Sequence, residues 1–92
     1  MRESTIEKYL VSELKKIGIQ TRKVKWIGRD GAPDRVILAN GGIWVELKAP
    51  GEVLRMNQIA EGKVLRAAGM WHMVVDSKEQ VDELMRELGK CT

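Results

Sequence analysis

Cysteine occurs once in these 92 residues, as Cys91, and histidine once, as His72. A single thiol excludes an internal disulfide framework, and nothing marks the chain as secreted. With no second imidazole or thiol for a partner, His72 reads as structural, not as a metal ligand or general base. No apolar run approaches the 18 residues of a membrane span, and no charged-apolar-small leader precedes the first amphipathic stretch, so an intracellular protein is expected. Charge of one sign is not in strong excess either: 16 Lys plus Arg against 13 Asp plus Glu leave +3, with a pI near 9.2. That balance permits a polyanionic partner without requiring one. Internal repeats and low-complexity segments are absent, and the length fits one domain, residues 1–92.

What is present is a regular alternation of helical and extended patterns. Ile6, Tyr9, Leu10, Leu14 and Ile17 recur at helical spacing, Ser4 or a neighbour serves as cap, and Gly18 supplies the stop. Residues 19–27 read as a strand. Lys23 and Lys25 share one of its faces, as solvated strand charges or as phosphate contacts. A loop over 28–32 follows, in which Arg29 can approach a phosphate and Asp30 reads as a turn residue. Residues 34–39 and 42–48 are rich in β-branched and aromatic side chains, and Asn40-Gly41 between them predicts a type I′ hairpin. A helix from Met56 or Asn57 to Ala68, with Ile59, Val64, Leu65 and Ala68 inward, precedes a strand over 70–75. Ser77 then caps a last helix through Leu88, packed by Val81, Leu84, Met85 and Leu88. The order αβββαβα predicts an α/β fold with a mixed sheet of about four strands, its long connection after Lys48 allowing a parallel crossover.

The hairpin carries the chemistry. Strand alternation sets Glu46 and Lys48 on one side with Trp44 and sends Val45 and Leu47 to the other. A tight turn places Asp34 near Lys48 and diagonal to Glu46, at the open end. Two carboxylates in one small site repel unless a cation compensates. Oxygen donors with no cysteine or histidine nearby select a hard ion such as Mg²⁺ or Mn²⁺, and Lys48 can stabilise developing negative charge. Taken singly, an Asp after Pro or a Glu-x-Lys on a strand is an ordinary surface feature.

In combination they resemble a known pattern. Ile6-Glu7-Lys8-Tyr9-Leu10-Val11, Gly31-Ala32-Pro33-Asp34-Arg35, Val45-Glu46-Leu47-Lys48-Ala49-Pro50 and Gln58 are similar to the motifs of the virus-type replication-repair nuclease (VRR-NUC) family, within the PD-(D/E)XK nuclease superfamily. The resemblance spans nearly the whole chain and implies a restriction-endonuclease-like core. It implies that Asp34 and Glu46 hold a divalent metal together with the Leu47 carbonyl, that Lys48 is catalytic, and that Gln58 joins the site. An acid from the first helix is implied as a further ligand. Glu7, beside Leu10 and Val11, is the preferred choice and Glu3 the alternative.

The expected activity is a Mg²⁺- or Mn²⁺-dependent, structure-selective DNA endonuclease, with Arg22, Lys23, Lys25, Arg29 and Arg55 as phosphate contacts. Stand-alone phage and bacterial members of the family it resembles act as homodimers on four-way (Holliday) junctions. The chain is therefore expected to do the same, in a bacterial cytoplasm or a phage-infected cell. A flap- or restriction-type nuclease and a non-catalytic nucleic-acid-binding module are the alternatives. A chain this short has little room for base-reading loops, and a binding module has no use for Asp34, Glu46 and Lys48 together.

Overall fold

Asn40 at φ 53° and Gly41 at φ 82° adopt the paired left-handed conformations of a type I′ turn. The Gly42 amide closes that turn on the Ala39 carbonyl at 2.9 Å. Around this hairpin the computed structural model, which describes residues 1–89, assembles the expected succession. The elements are α1 (Glu3–Lys16), β1 (Thr21–Lys23), β2 (Arg35–Ile37), β3 (Ile43–Leu47), α2 (Met56–Ala67), β4 (Trp71–Val75) and α3 (Lys78–Gly89). Cys91 lies outside the described residues. The strands form one mixed sheet in the order β1-β2-β3-β4, antiparallel through β3, with β4 parallel to it through the α2 crossover.

Register departs from the tight-turn expectation by one residue. Ile37 pairs with Ile43, Val36 with Trp44 and Arg35 with Val45. One extra residue sits beside the turn, where Leu38 gives its amide to the Gln20 carbonyl and Ala39 bonds back to Ile37. Continued to the open end, this register sets Asp34 opposite Glu46 instead of diagonal to it.

The two faces of the sheet bury different chemistry. Ile37, Ile43, Val45, Leu47 and Val75 join Ile6, Leu10 and Leu14 of α1 and Val81, Leu84 and Leu88 of α3 in one core. The helices are also tied by a hydrogen bond from the Tyr9 hydroxyl to Asp82, and Lys78 lies over the Tyr9 ring. Ile17, expected in the α1 stripe, is 38% exposed, and Ser4 lies inside the helix, whose N-cap is Arg2 without a side-chain bond.

The opposite face is covered by α2, and there the apolar pattern misleads. Its buried residues are Gln58, Glu61, Gly62 and Leu65, whereas Val64 is 59% exposed and Ile59 is at the exposed margin. Gly62 lies close against the sheet: a Cβ on it would stand 2.8 Å from His72 Cε1. His72 packs against Gly62, with Nδ1 2.9 Å from Arg66 Nη1 and Nε2 buried without a hydrogen-bond partner. Strand β1 is shorter than residues 19–27. After the Val24 amide bonds the Asp34 carbonyl, the chain leaves the sheet, and Trp26 packs on Trp44 at 5.7 Å between ring centroids.

Candidate active site

Asp34 is fixed by its backbone first. It follows the buried Pro33, donates its amide to the Val45 carbonyl at 3.0 Å and accepts from the Val24 amide at 3.0 Å. Its carboxylate Oδ2 then accepts the Leu47 amide at 2.7 Å. In an extended strand a residue's N–H and C=O point to the same side, so the Leu47 carbonyl also faces the Asp34 edge. The loop before Asp34 is pinned by Gly31, at φ 94°, where a Cβ would lie 2.5 Å from the Asn57 carbonyl oxygen. Asp34 is thus held between the hairpin and the start of α2.

Glu46 is 1% exposed. Its Oε1 accepts from Gln58 Nε2 at 3.0 Å, and Gln58 Oε1 in turn accepts the Arg55 amide at 2.9 Å, so one side chain both caps α2 and orients the acid. Glu46 Oε2 is buried with no hydrogen-bond partner. Burial first, and then the negative charge of the adjacent Asp34 carboxylate, push the Glu46 carboxyl from its usual 4.5 up to about 8, against the opposing pull of Lys48. Lys48 is 8% exposed and extends the parallel ladder through its amide to Val75. The hairpin end therefore brings Asp34, Glu46, Lys48 and Gln58 together.

The helix acid at this end is Glu3, not Glu7. Burial and the charge of Asp34 raise the Glu3 carboxyl, Lys48 lowers it, and Glu52 and Glu7 raise it further. Glu7 instead accepts Arg35 Nε at 2.8 Å and lies 3.6 Å from Lys23 Nζ. Lys23 and Arg35 are register partners, and side chains of adjacent strand residues point to opposite faces. Glu7 and its partners are consequently on the α1 face, with the sheet between them and Glu46. Glu52 also reaches this field, and its only sequence signal is proximity to Lys48.

The expected phosphate contacts do not form one patch. Arg22 turns onto Gln20 Oε1 at 2.7 Å and the Thr21 carbonyl at 3.0 Å. Lys23 lies on the α1 face beside Glu7, and Lys25 is exposed past the end of β1, so the two do not share a strand face. Arg29 Nε stands 3.5 Å from Oε1 of the buried Glu61, and Arg55 is exposed as the N-cap of α2. Glu61 escapes a sequence reading because an acid between two apolar helical positions reads as solvent-facing.

A mixed sheet whose hairpin end presents an acid pair, a lysine and a helix-borne glutamine defines a nuclease-type α/β core. A solved structure described as a VRR_NUC domain superposes with a TM-score of 0.81 at 31% identity, covering 91% of this chain and 94% of that one. The "Putative nuclease p44" of Acyrthosiphon pisum secondary endosymbiont phage 1 is 47% identical over 81 residues, 86% of this chain and 87% of its own length. No protein-family model matches. The chain belongs to the VRR-NUC family, and its fold is the restriction-endonuclease-like core of that family.

The donor set fits a hard divalent ion of the kind this family implies. Among the described residues no three His, Cys, Asp or Glu side chains already form a cation cage. Yet Glu46 Oε2 is a buried oxygen without a partner, beside a second carboxylate and a backbone carbonyl, and every donor is oxygen. Ionising both acids without a cation is costly.

Proposed function

We propose that the protein is a Mg²⁺- or Mn²⁺-dependent DNA endonuclease that nicks four-way junctions as a homodimer. The observation that carries the metal-dependent reading is the buried, unpartnered Glu46 Oε2 beside Asp34, with the Glu46 carboxyl raised to about 8. Such a group is held at the cost of its own charge, which makes it a poor structural ion pair and a good ligand. Asp34, Glu46 and the Leu47 carbonyl would hold the ion, with Glu3 as the acid from α1. A bound ion supplies Lewis acidity at the phosphate and lowers the pKa of an attacking water.

The chain's own groups do the rest. Gln58 immobilises Glu46 Oε1 and leaves Oε2 for the ligand position. The Leu47 amide fixes one Asp34 oxygen, so the carboxylate cannot rotate away. Lys48 shares the face of Glu46 and offsets negative charge developing on the phosphate oxygens. Arg29 and Arg55, on the loop and cap flanking Gln58, would meet neighbouring phosphates, Arg29 by leaving Glu61.

A dimer is supported by β4, an edge strand that carries no charge or proline of the kind that blunts exposed edges. Met70 just before it and Trp71 at its start are 44% and 68% exposed. One chain carries one such site, so symmetric nicks require two copies. The test is to incubate the protein with flaps, linear duplexes and four-way junctions, with and without Mg²⁺ or Mn²⁺. Metal-dependent paired nicks in the junction are expected. Equal cleavage of duplex and junction rejects the junction preference, and no cleavage of any DNA with either metal rejects the enzyme.

A further inference from the structure

The stripe Ser4, Lys8, Ser12 and Lys15 runs along one side of α1 at spacings of four, four and three residues, which stack on a helix. With Glu7, Val11, Lys23 and Arg35 it lines an open cavity of about 550 Å³ between α1 and the first two strands. A second cavity of about 340 Å³ adjoins it, sharing Lys15 and Val11 and adding Arg22. Lys8, Lys15, Lys23 and Arg35 less Glu7 leave +3, as large as the formal net charge of the whole 92-residue chain. The lining of the first cavity thus carries a net charge equal to that of the whole chain, and Arg22 adds a further cation beside it.

Glu7 engages Arg35 and Lys23 at the groove's inner side, while Lys8 and Lys15 form no ion pair with a described residue. From Ser4 to Lys15 the groove extends about 16 Å, the axial span of about five phosphates on one duplex strand. Its Ser4 end adjoins Glu3, whose carboxyl is in the field of Asp34 and Lys48. A polyanion leaving the acid site along α1 would meet Lys8, Lys15 and the hydroxyls of Ser4 and Ser12, with the Glu7 charge taken up by Arg35 and Lys23.

We infer that this groove is a second DNA-binding surface, which holds the sugar-phosphate backbone continuing from the cleaved phosphodiester. This rests on the nuclease reading above and adds Lys8 and Lys15 as phosphate contacts. Lys8→Gln/Lys15→Gln and a control, Lys63→Gln/Arg86→Gln on the exposed sides of α2 and α3, remove the same charge. Binding of a four-way junction is measured in EDTA across a salt series, and cleavage in Mg²⁺. The groove variant is expected to lower the slope of log affinity against log salt by about 1.8, or about 0.9 for each duplex phosphate no longer neutralised. Its KM should rise with kcat retained, and the control should match wild type. If wild type binds and cuts while the groove variant keeps the wild-type slope, or both variants lower it equally, the groove is overturned and the nuclease reading stands. If wild type neither binds nor cuts DNA, both fall.

Discussion

At the scale of single residues, three glutamates have three different jobs, set by their surroundings. Glu46 is buried beside Asp34, Glu3 lies in the electrostatic field of that pair, and Glu7 anchors Arg35 and Lys23 across the sheet. Glu3→Gln should therefore weaken Mn²⁺ affinity and cleavage, whereas Glu7→Gln should keep cleavage and tighten DNA binding by releasing two cations. Calorimetric titration with Mn²⁺ and a junction-binding isotherm separate the two. Loss of metal binding in the Glu7 variant, with the Glu3 variant unaffected, would reverse the assignment. The sequence makes Glu7 attractive because it borders the apolar stripe. It cannot reveal that Arg35, the residue after Asp34, points to the α1 face and takes it.

The Glu46 carboxyl also makes stability depend on pH. Its folded value, about 8, exceeds the ordinary 4.5, so between these limits the native chain keeps a proton that the unfolded chain has released. The stabilisation is complete below about 4.5 and is lost as pH rises through about 8. Metal-free thermal melts should show wild type losing stability over that window relative to Glu46→Gln. Parallel pH profiles for the two proteins would contradict the burial-driven shift.

At the scale of elements, the hairpin is legible because Asn40-Gly41 meets a backbone requirement that few residue pairs meet. Its register is not: the extra residue at Leu38 leaves no compositional trace, yet it moves Asp34 to face Glu46. Strand β1 reads too long because Lys23 to Trp26 keeps alternating polar and apolar as the chain leaves the sheet. The buried face of α2 is illegible for a different reason. Gln58, Glu61 and Gly62 go inside because Glu46, Arg29 and His72 receive them, so hydrophobic periodicity selects the wrong stripe. The loop before Asp34 depends on Gly31 in the same way. Gly31→Ala should cost about 1–3 kcal/mol from backbone strain alone, with further loss from the contact at Asn57, and should reduce metal affinity by shifting Asp34. Urea denaturation and Mn²⁺ titration check both; unchanged stability would show that the loop gives way freely.

At the scale of the molecule, charge and apolar surface are segregated. Cations line the groove between α1 and the first two strands, exposed Met70 precedes β4 and exposed Trp71 begins it, and the acid site lies at the open end of the hairpin. The layer order is readable from the succession of periodicities, and the sheet's parallel closure from the length of the connection. The exposed β4 edge is not, since WHMVV reads equally as a central strand. Light scattering at micromolar concentration should give twice the 10.4 kDa chain mass, and Trp71→Lys should return it to the monomer. A wild-type monomer would remove the two-site assembly while leaving the acid site untouched.

The most direct test is metal-dependent cleavage of a four-way junction by wild type and by Glu46→Gln, which is nearly isosteric and can still accept the Gln58 hydrogen bond. If Glu46 and Asp34 form the ion-binding centre, wild type cuts only with Mg²⁺ or Mn²⁺ and the variant, folded and still bound to DNA, does not cut. A Glu46→Gln protein that cuts at the wild-type rate would contradict the assignment.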